Sequence, residues 1–200
     1  MTVVVFGRGV AADDPLATAL GFLEAYGAPR DDPLPDVFGE ADLRRANRGG
    51  ARISAAQIAA ILERQERIEL ALRALPPRAS LMSRRVPWNA LTRLFEGFAG
   101  VSGVGFSKMT KTLHPKRPAL IPMLDSVVQR YLAADGSPAE PFGARATGLV
   151  RSYKHDLDRN RASLAELERE LASRGYRLTE VRILDLLIWS LGSTDPGSRR

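Results

Sequence analysis

The sequence predicts an all-α fold, and three observations carry that expectation. Apolar residues recur at three- and four-residue spacing through most of the chain, capping residues stand at the heads of those segments, and Gly or Pro stands at their ends. Val3, Val4, Val5 and Phe6 could make a short strand before Gly7-Arg8-Gly9, but nothing obvious pairs with them.

The helices follow in order. Asp13/Asp14 then Pro15 is an N-cap and first-turn proline, and Leu16, Ala19, Leu20, Leu23 and Tyr26 follow at helical spacing until Gly27. Residues 28–39 form a proline-rich connection, and a short helix around Ala41–Asn47 stops at Gly49-Gly50. Ser54 and Gln57 make a capping box, with Ile53 and Ile58 placed as a hydrophobic staple. One helix then carries Ile58, Ile61, Leu62, Ile68, Leu72 and Leu75 to the stop at Pro76-Pro77. Pro87 opens a helix with Trp88, Leu91, Leu94, Phe95 and Phe98 inward, ending near Gly100, and a short helix runs from after Gly105 to about Leu113. Asp125 caps a helix bearing Val127, Val128, Tyr131 and Leu132. After a loop at Asp135–Gly143 come helices at 144–157, 162–174 and 180–191, which brings the expected number to about eight. Residues 1–192 are read as a single helical domain and 193–200 as a disordered tail.

Composition narrows the function classes. With 44% apolar and 26% charged residues the chain belongs with ordinary globular proteins rather than disordered ones. It has no cysteine, which excludes a disulfide framework, a thiol nucleophile and an iron–sulfur cluster, and two well-separated histidines argue against a metal site. The opening MTVVVF lacks the basic lead-in of a signal peptide, and no apolar run approaches the ~20 residues of a membrane span. A cytoplasmic protein without metal or other cofactor is expected.

Charge is informative by its distribution. Residues 80–130 hold eight Lys/Arg against two acids, so this segment accounts for the whole net charge of +6. The chain has 25 Arg and only 4 Lys, a bias that a GC-rich genome produces without functional selection, so clustering is better evidence than the total. One positive segment on a neutral scaffold suggests a face for a polyanion, with double-stranded DNA the natural candidate.

That segment contains helix, Gly103-Val104-Gly105, helix, the arrangement of a helix-hairpin-helix. Two glycines allow a tight turn and close approach of a phosphate, while the following helix offers free N–H groups and its positive dipole end. Val104 would point inward, and Ser107, Lys108 and Lys111 sit where side chains could complete phosphate contacts. The same pattern also fits a plain turn between two helices. In the loop that follows, Pro115, Pro118 and Pro122 stiffen the chain around His114, Lys116 and Arg117. Lys116 and Arg117 are DNA-contact candidates, Arg117 alternatively pairing with Asp125, and His114 is either a proton relay or a hydrogen-bonded loop residue.

The stretch from Trp88 to Leu132 resembles the helix-hairpin-helix DNA glycosylase superfamily, in which a catalytic Asp starts the next helix about twenty residues past the second glycine. Asp125 stands twenty residues after Gly105 and is followed by Ser126-Val127-Val128. KTLHPKRPALIPMLDSVV is closer still to the hallmark of a bacterial family of unknown function, common in actinobacteria, which resembles a divergent relative of those glycosylases. The likeness to that family extends to Asn47–Ser54 and to Arg182, Asp185 and Trp189.

The resemblance implies a two-lobed helical fold around a central hairpin. It also implies a monofunctional N-glycosylase, because Ser107 stands where lyase-active members carry their nucleophilic Lys. Asp125 would stabilise the oxocarbenium-like charge that develops as an N-glycosidic bond breaks, and would orient the attacking water. The residue is equally an ordinary N-cap, and the two roles are compatible. A base taken from the stack needs an aromatic pocket, for which Trp88, Phe95 and Phe106 are nearby, although core packing accounts for each of them as well. Two further functions fit the same residues: a non-catalytic DNA-binding module, and a structural or interaction protein with a basic face.

Overall fold

The computed structural model describes residues 12–27, 34–132 and 140–193. Among them stand ten α-helices and one short 3-10 turn, and no strand element. The strand expected at Val3–Phe6, much of the connections at 28–39 and 135–143, and the tail from 194 lie outside the described residues.

Helix α1 (Pro15–Tyr26) starts as its sequence dictates. Asp14 accepts the Ala17 N–H at 2.9 Å, Pro15 fills the first turn, and Gly27 at φ 80° stops it. Helix α2 (Glu40–Arg48) ends at Gly49. Helix α3 (Ala55–Leu62) opens on the reciprocal bonds of the capping box, Gln57 N to Ser54 Oγ at 3.3 Å and Ser54 N to Gln57 Oε1 at 3.1 Å.

The single helix expected from Ile58 to Leu75 is two. After α3 the chain tightens, with Arg64 N bonding Ile61 O at 3.0 Å, and α4 (Gln65–Arg73) restarts beyond it. The break aims the Arg64 guanidinium at the Ala99 carbonyl, while Ile61, Ile68 and Leu72 stay buried on one side. Period alone could not show it, because the apolar phase runs through the break unchanged.

Helix α5 (Trp88–Glu96) buries Leu91, Leu94 and Phe95 and ends a turn earlier than Gly100, its exit tightened by Phe98 N to Phe95 O at 3.0 Å. Helix α6 (Phe106–Leu113) follows the glycine turn and passes into the 3-10 turn His114–Lys116. Then come α7 (Ser126–Tyr131), α8 (Phe142–Arg159), α9 (Arg161–Ser173) and α10 (Glu180–Ser193).

Among the described helices, α5 packs most extensively against α8. A Cβ at Gly143 would stand 2.5 Å from the Thr92 carbonyl oxygen, so the absence of a side chain there sets the approach. Gly143 N donates to Glu96 Oε2 at 2.6 Å, giving α8 an anionic cap from α5, and the Thr92 and Thr147 hydroxyls meet at 2.8 Å. Around this pair α1 lies on α9 and α10, α7 lies on α10, and α2 lies on α6. Helices from both ends of the chain therefore flank the segment 101–132. No described helix is long and apolar enough to cross a membrane.

Candidate functional site

The turn between α5 and α6 is exposed at both glycines and anchored between them. Gly103 adopts φ +71°, which favours glycine, and Val104 is buried with its N–H donating to Val101 O at 3.0 Å. Gln57 braces the turn from α3: its Nε2 donates to Ser102 O at 3.0 Å and its Oε1 accepts from Lys108 Nζ at 2.8 Å. Gly105 is the N-cap of α6 and supplies no side-chain bond, so the first-turn amides of this helix face outward uncapped beside the half-buried Ser107.

Lys116 and Arg117 do not fit the phosphate-contact role expected of them, because both side chains are buried. Lys116 pairs with Asp42 at 2.8 Å and donates to Pro35 O and Val37 O at 3.0 and 2.6 Å. Arg117 pairs with Asp36 at 2.7 Å and donates to Leu72 O and Leu75 O at 3.2 and 3.1 Å, so it caps the end of α4. Nor does Arg117 pair with Asp125. His114 is buried too, its Nδ1 2.7 Å from Ile121 O, closing the loop that the prolines stiffen.

That loop delivers Asp125 rigidly. Leu124 N donates to Thr110 Oγ1 of α6 at 3.0 Å, Met123 N donates to Asp185 Oδ2 of α10 at 3.1 Å, and Gln129 Nε2 donates to Leu124 O at 2.7 Å. Pinned between two helices, Asp125 caps α7 with a single oxygen: Oδ1 accepts from Val127 N and Val128 N at 2.9 and 3.0 Å. Among the described residues nothing bonds its other oxygen, and the half-buried carboxylate lines a cleft.

The cleft holds about 520 Å³ counting its open mouth, and its wall is drawn from distant parts of the chain. Phe22 comes from α1, Gly49 from the loop after α2, Lys111 from α6, and Arg182, Asp185 and Trp189 from α10. The stretches flagged by family likeness far from the hairpin thus meet Asp125 in one place. Asn47 shapes the loop that carries Gly49, its amide exchanging two bonds with the Ile53 backbone at 2.6 and 2.8 Å. Lys111 Nζ reaches Gly49 O and Gly50 O at 3.3 and 3.4 Å. Phe22 and Trp189 meet edge to face at 5.3 Å between ring centroids.

Asp185 is the most buried of the charged side chains in the cleft. Burial pushes its carboxyl up to about 6, a rise opposed by the nearby His114 and Arg182 and by the bonds from Met123 N and Tyr153. The geometry accommodates the proton below about pH 6, and above it the carboxylate accepts from the Tyr153 hydroxyl. The buried Tyr153 hydroxyl has one hydrogen and two oxygen neighbours, Val181 O at 2.7 Å and Asp185 Oδ1 at 3.0 Å. With Asp185 protonated, it donates to Tyr153 and Tyr153 donates to Val181, so every group is satisfied.

Trp88, Phe95 and Phe106, the candidates for a base pocket, do not line this cleft. Phe95 is fully buried in the core. Phe106 packs on Phe142 at 4.8 Å with the Arg145 guanidinium over its ring, and Trp88 lies under Arg151 at 4.5 Å. The aromatic wall beside Asp125 is instead Phe22 and Trp189. Phe22 was missed because it lies off the apolar stripe of α1; its spacing of four from Tyr26, whose ring is 4.8 Å away, was the available signal. No group of three or more His, Asp or Glu among the described residues is placed to hold a metal ion.

Comparison with known protein families gives one match that spans most of the chain. Residues 14–192 match the model of the "Family of unknown function (DUF6308)", and the chain belongs to that family. No curated protein and no solved structure matches it, and nothing in these comparisons links it to DNA glycosylases.

Proposed function

We propose that this protein binds duplex DNA through the Gly103–Gly105 turn and the start of α6, in a two-lobed, glycosylase-like helix-hairpin-helix arrangement. In this reading the Asp125 cleft receives a nucleotide and cleaves its N-glycosidic bond. The observation that carries the proposal is the placement of Asp125: one oxygen caps α7, the other is uncommitted, and the cleft beside it has an aromatic wall. A fixed carboxylate of this kind stabilises an oxocarbenium-like charge without first reorganising. Helix α6 connects the two functions, since Lys111 follows Gly105 by six residues, about 9 Å along a helix axis. A duplex held at the turn has its backbone within reach of the cleft, as removal of a base from the stack requires.

The interface is smaller than the sequence suggested. Lys116 and Arg117 are inside, leaving the turn amides, Ser107, Lys108 and Lys111. Ser107 near the start of α6 cannot form a Schiff base and Lys111 of the cleft wall is given to phosphate, so in this reading hydrolysis proceeds without a covalent enzyme intermediate. A non-catalytic DNA-binding module is the second reading, favoured by the double capping bond that gives Asp125 a structural role in any case.

The test is a panel of duplexes carrying uracil, alkylated, oxidised or mismatched bases, scored for abasic sites and for borohydride trapping. Release from at least one duplex with no trapped adduct is expected. Binding to duplex without release from any of them selects the non-catalytic module, and no binding at low salt removes both readings.

A further inference from the structure

Two cations, Lys111 and Arg182, line the Asp125 cleft. Lys111 and Arg182 each lack a carboxylate within 4 Å among the described residues, and neither pairs with Asp125 or with the other acid of the cleft, Asp185. Arg182 has a buried Nε with no hydrogen-bond partner, and its Nη1 finds only the Met123 sulfur at 3.6 Å. The contacts of Lys111 to Gly49 O and Gly50 O, at 3.3 and 3.4 Å, are long for a charged donor. Elsewhere in this protein the inward cations are closely paired, Lys116 at 2.8 Å and Arg117 at 2.7 Å. Two half-desolvated cations in one cleft, neither with a carboxylate partner among the described residues, suit an anion.

We infer that the cleft holds a single nucleotide unit, its phosphate on the Lys111 and Arg182 cations and its base on the aromatic wall of Phe22 and Trp189. An anion alone would leave the rings and Asp125 unused. A nucleotide matches all three features, because its heterocycle has a face for Trp189 and the sugar between base and phosphate would lie beside the uncommitted Asp125 oxygen. The inference deepens the reading above by naming the side chains that take the nucleotide's phosphate and its base, and it rests on that reading only for duplex DNA as the source of the nucleotide.

Calorimetric titration of the full chain tests it with three probes: deoxyadenosine monophosphate, deoxyadenosine and inorganic phosphate. The monophosphate is expected to bind at least tenfold more tightly than either of the others. Arg182→Gln and Lys111→Gln should each weaken it about ten- to a hundredfold, as loss of a charged contact does, while leaving deoxyadenosine unchanged. Trp189→Ala should reduce the monophosphate to the affinity of phosphate. Arg169→Gln on the exposed side of α9 serves as the control of equal charge. Arg182→Lys, which keeps the charge, replaces Arg182→Gln if that variant does not fold, and should retain part of the affinity. Monophosphate binding no tighter than phosphate, or undiminished in both cation variants, overturns the inference. Monophosphate binding with no affinity for duplex DNA keeps the nucleotide site and sinks only the DNA reading.

Discussion

Lys108 and Lys111 on α6 and Lys116 and Arg117 just beyond it lie within ten residues of sequence and have opposite fates. The first pair leans on polar groups at the protein surface, Gln57 and the carbonyls of Gly49 and Gly50. The second pair is buried and neutralised by Asp42 and Asp36 while holding backbone carbonyls. A positive run in a sequence therefore does not translate into a positive face. Where the acids that answer it come from another part of the chain, here residues 36 and 42, the charge is structural.

The largest effect separates the two pairs outright. Lys116→Ala removes the buried cation beside Asp42, leaving it only the more exposed Arg45 at 3.2 Å, and takes the donor from Pro35 O and Val37 O, so it should cost about 3–5 kcal/mol in chemical denaturation. Lys108→Ala with Lys111→Ala should cost less than about 1 kcal/mol, because partly exposed contacts contribute little. Equal losses from both would break the contrast.

Asp185 gives the next effect. Its folded value of about 6 lies above the ordinary 3.8, so the folded state binds the proton more tightly than the unfolded chain does. For this group, stability is fully present below about pH 4 and is lost as pH rises through about 6, by on the order of 3 kcal/mol. Asp185→Asn cannot ionise, so its stability relative to wild type should rise across that window. A flat difference between pH 4 and 7 would remove the buried proton from the description of the cleft.

Much of the helical order was legible because caps and stops are local chemistry. Asp14, the Ser54–Gln57 box, Gly105 and Asp125 all open the helices expected of them. The break at Glu63-Arg64 was not, since the apolar phase carried no mark of it and the contact that accompanies it is to a carbonyl 35 residues away. At the site, Asp125, Lys111 and the α10 residues were identifiable, but their meeting in one cleft follows from α1 and α7 packing on α10, which spacing does not encode. The burial of Lys116 and Arg117 was hidden for the same reason: their partners are long-range.

Smaller in stability, but sharper for the turn, is Gly103→Ala. A Cβ there requires φ +71° and would stand 2.4 Å from Gln57 Nε2, so a loss of about 1–2 kcal/mol is expected, with weakened duplex binding. The smallest change concerns salt. The double variant Lys108→Ala with Lys111→Ala should flatten the dependence of duplex affinity on salt by about two phosphates' worth. An unchanged slope would place the DNA contacts away from α6.

Base release by wild type and Asp125→Asn, measured side by side on the duplex panel, tests the central claim most directly. Asn caps a helix about as well as Asp, so folding should survive, and losing a negative charge near phosphates should leave duplex affinity equal or raised. The expected result is release by wild type and a loss of at least about a hundredfold in the variant, with binding retained. Release that continues undiminished in Asp125→Asn would contradict the account and take the carboxylate out of the chemistry.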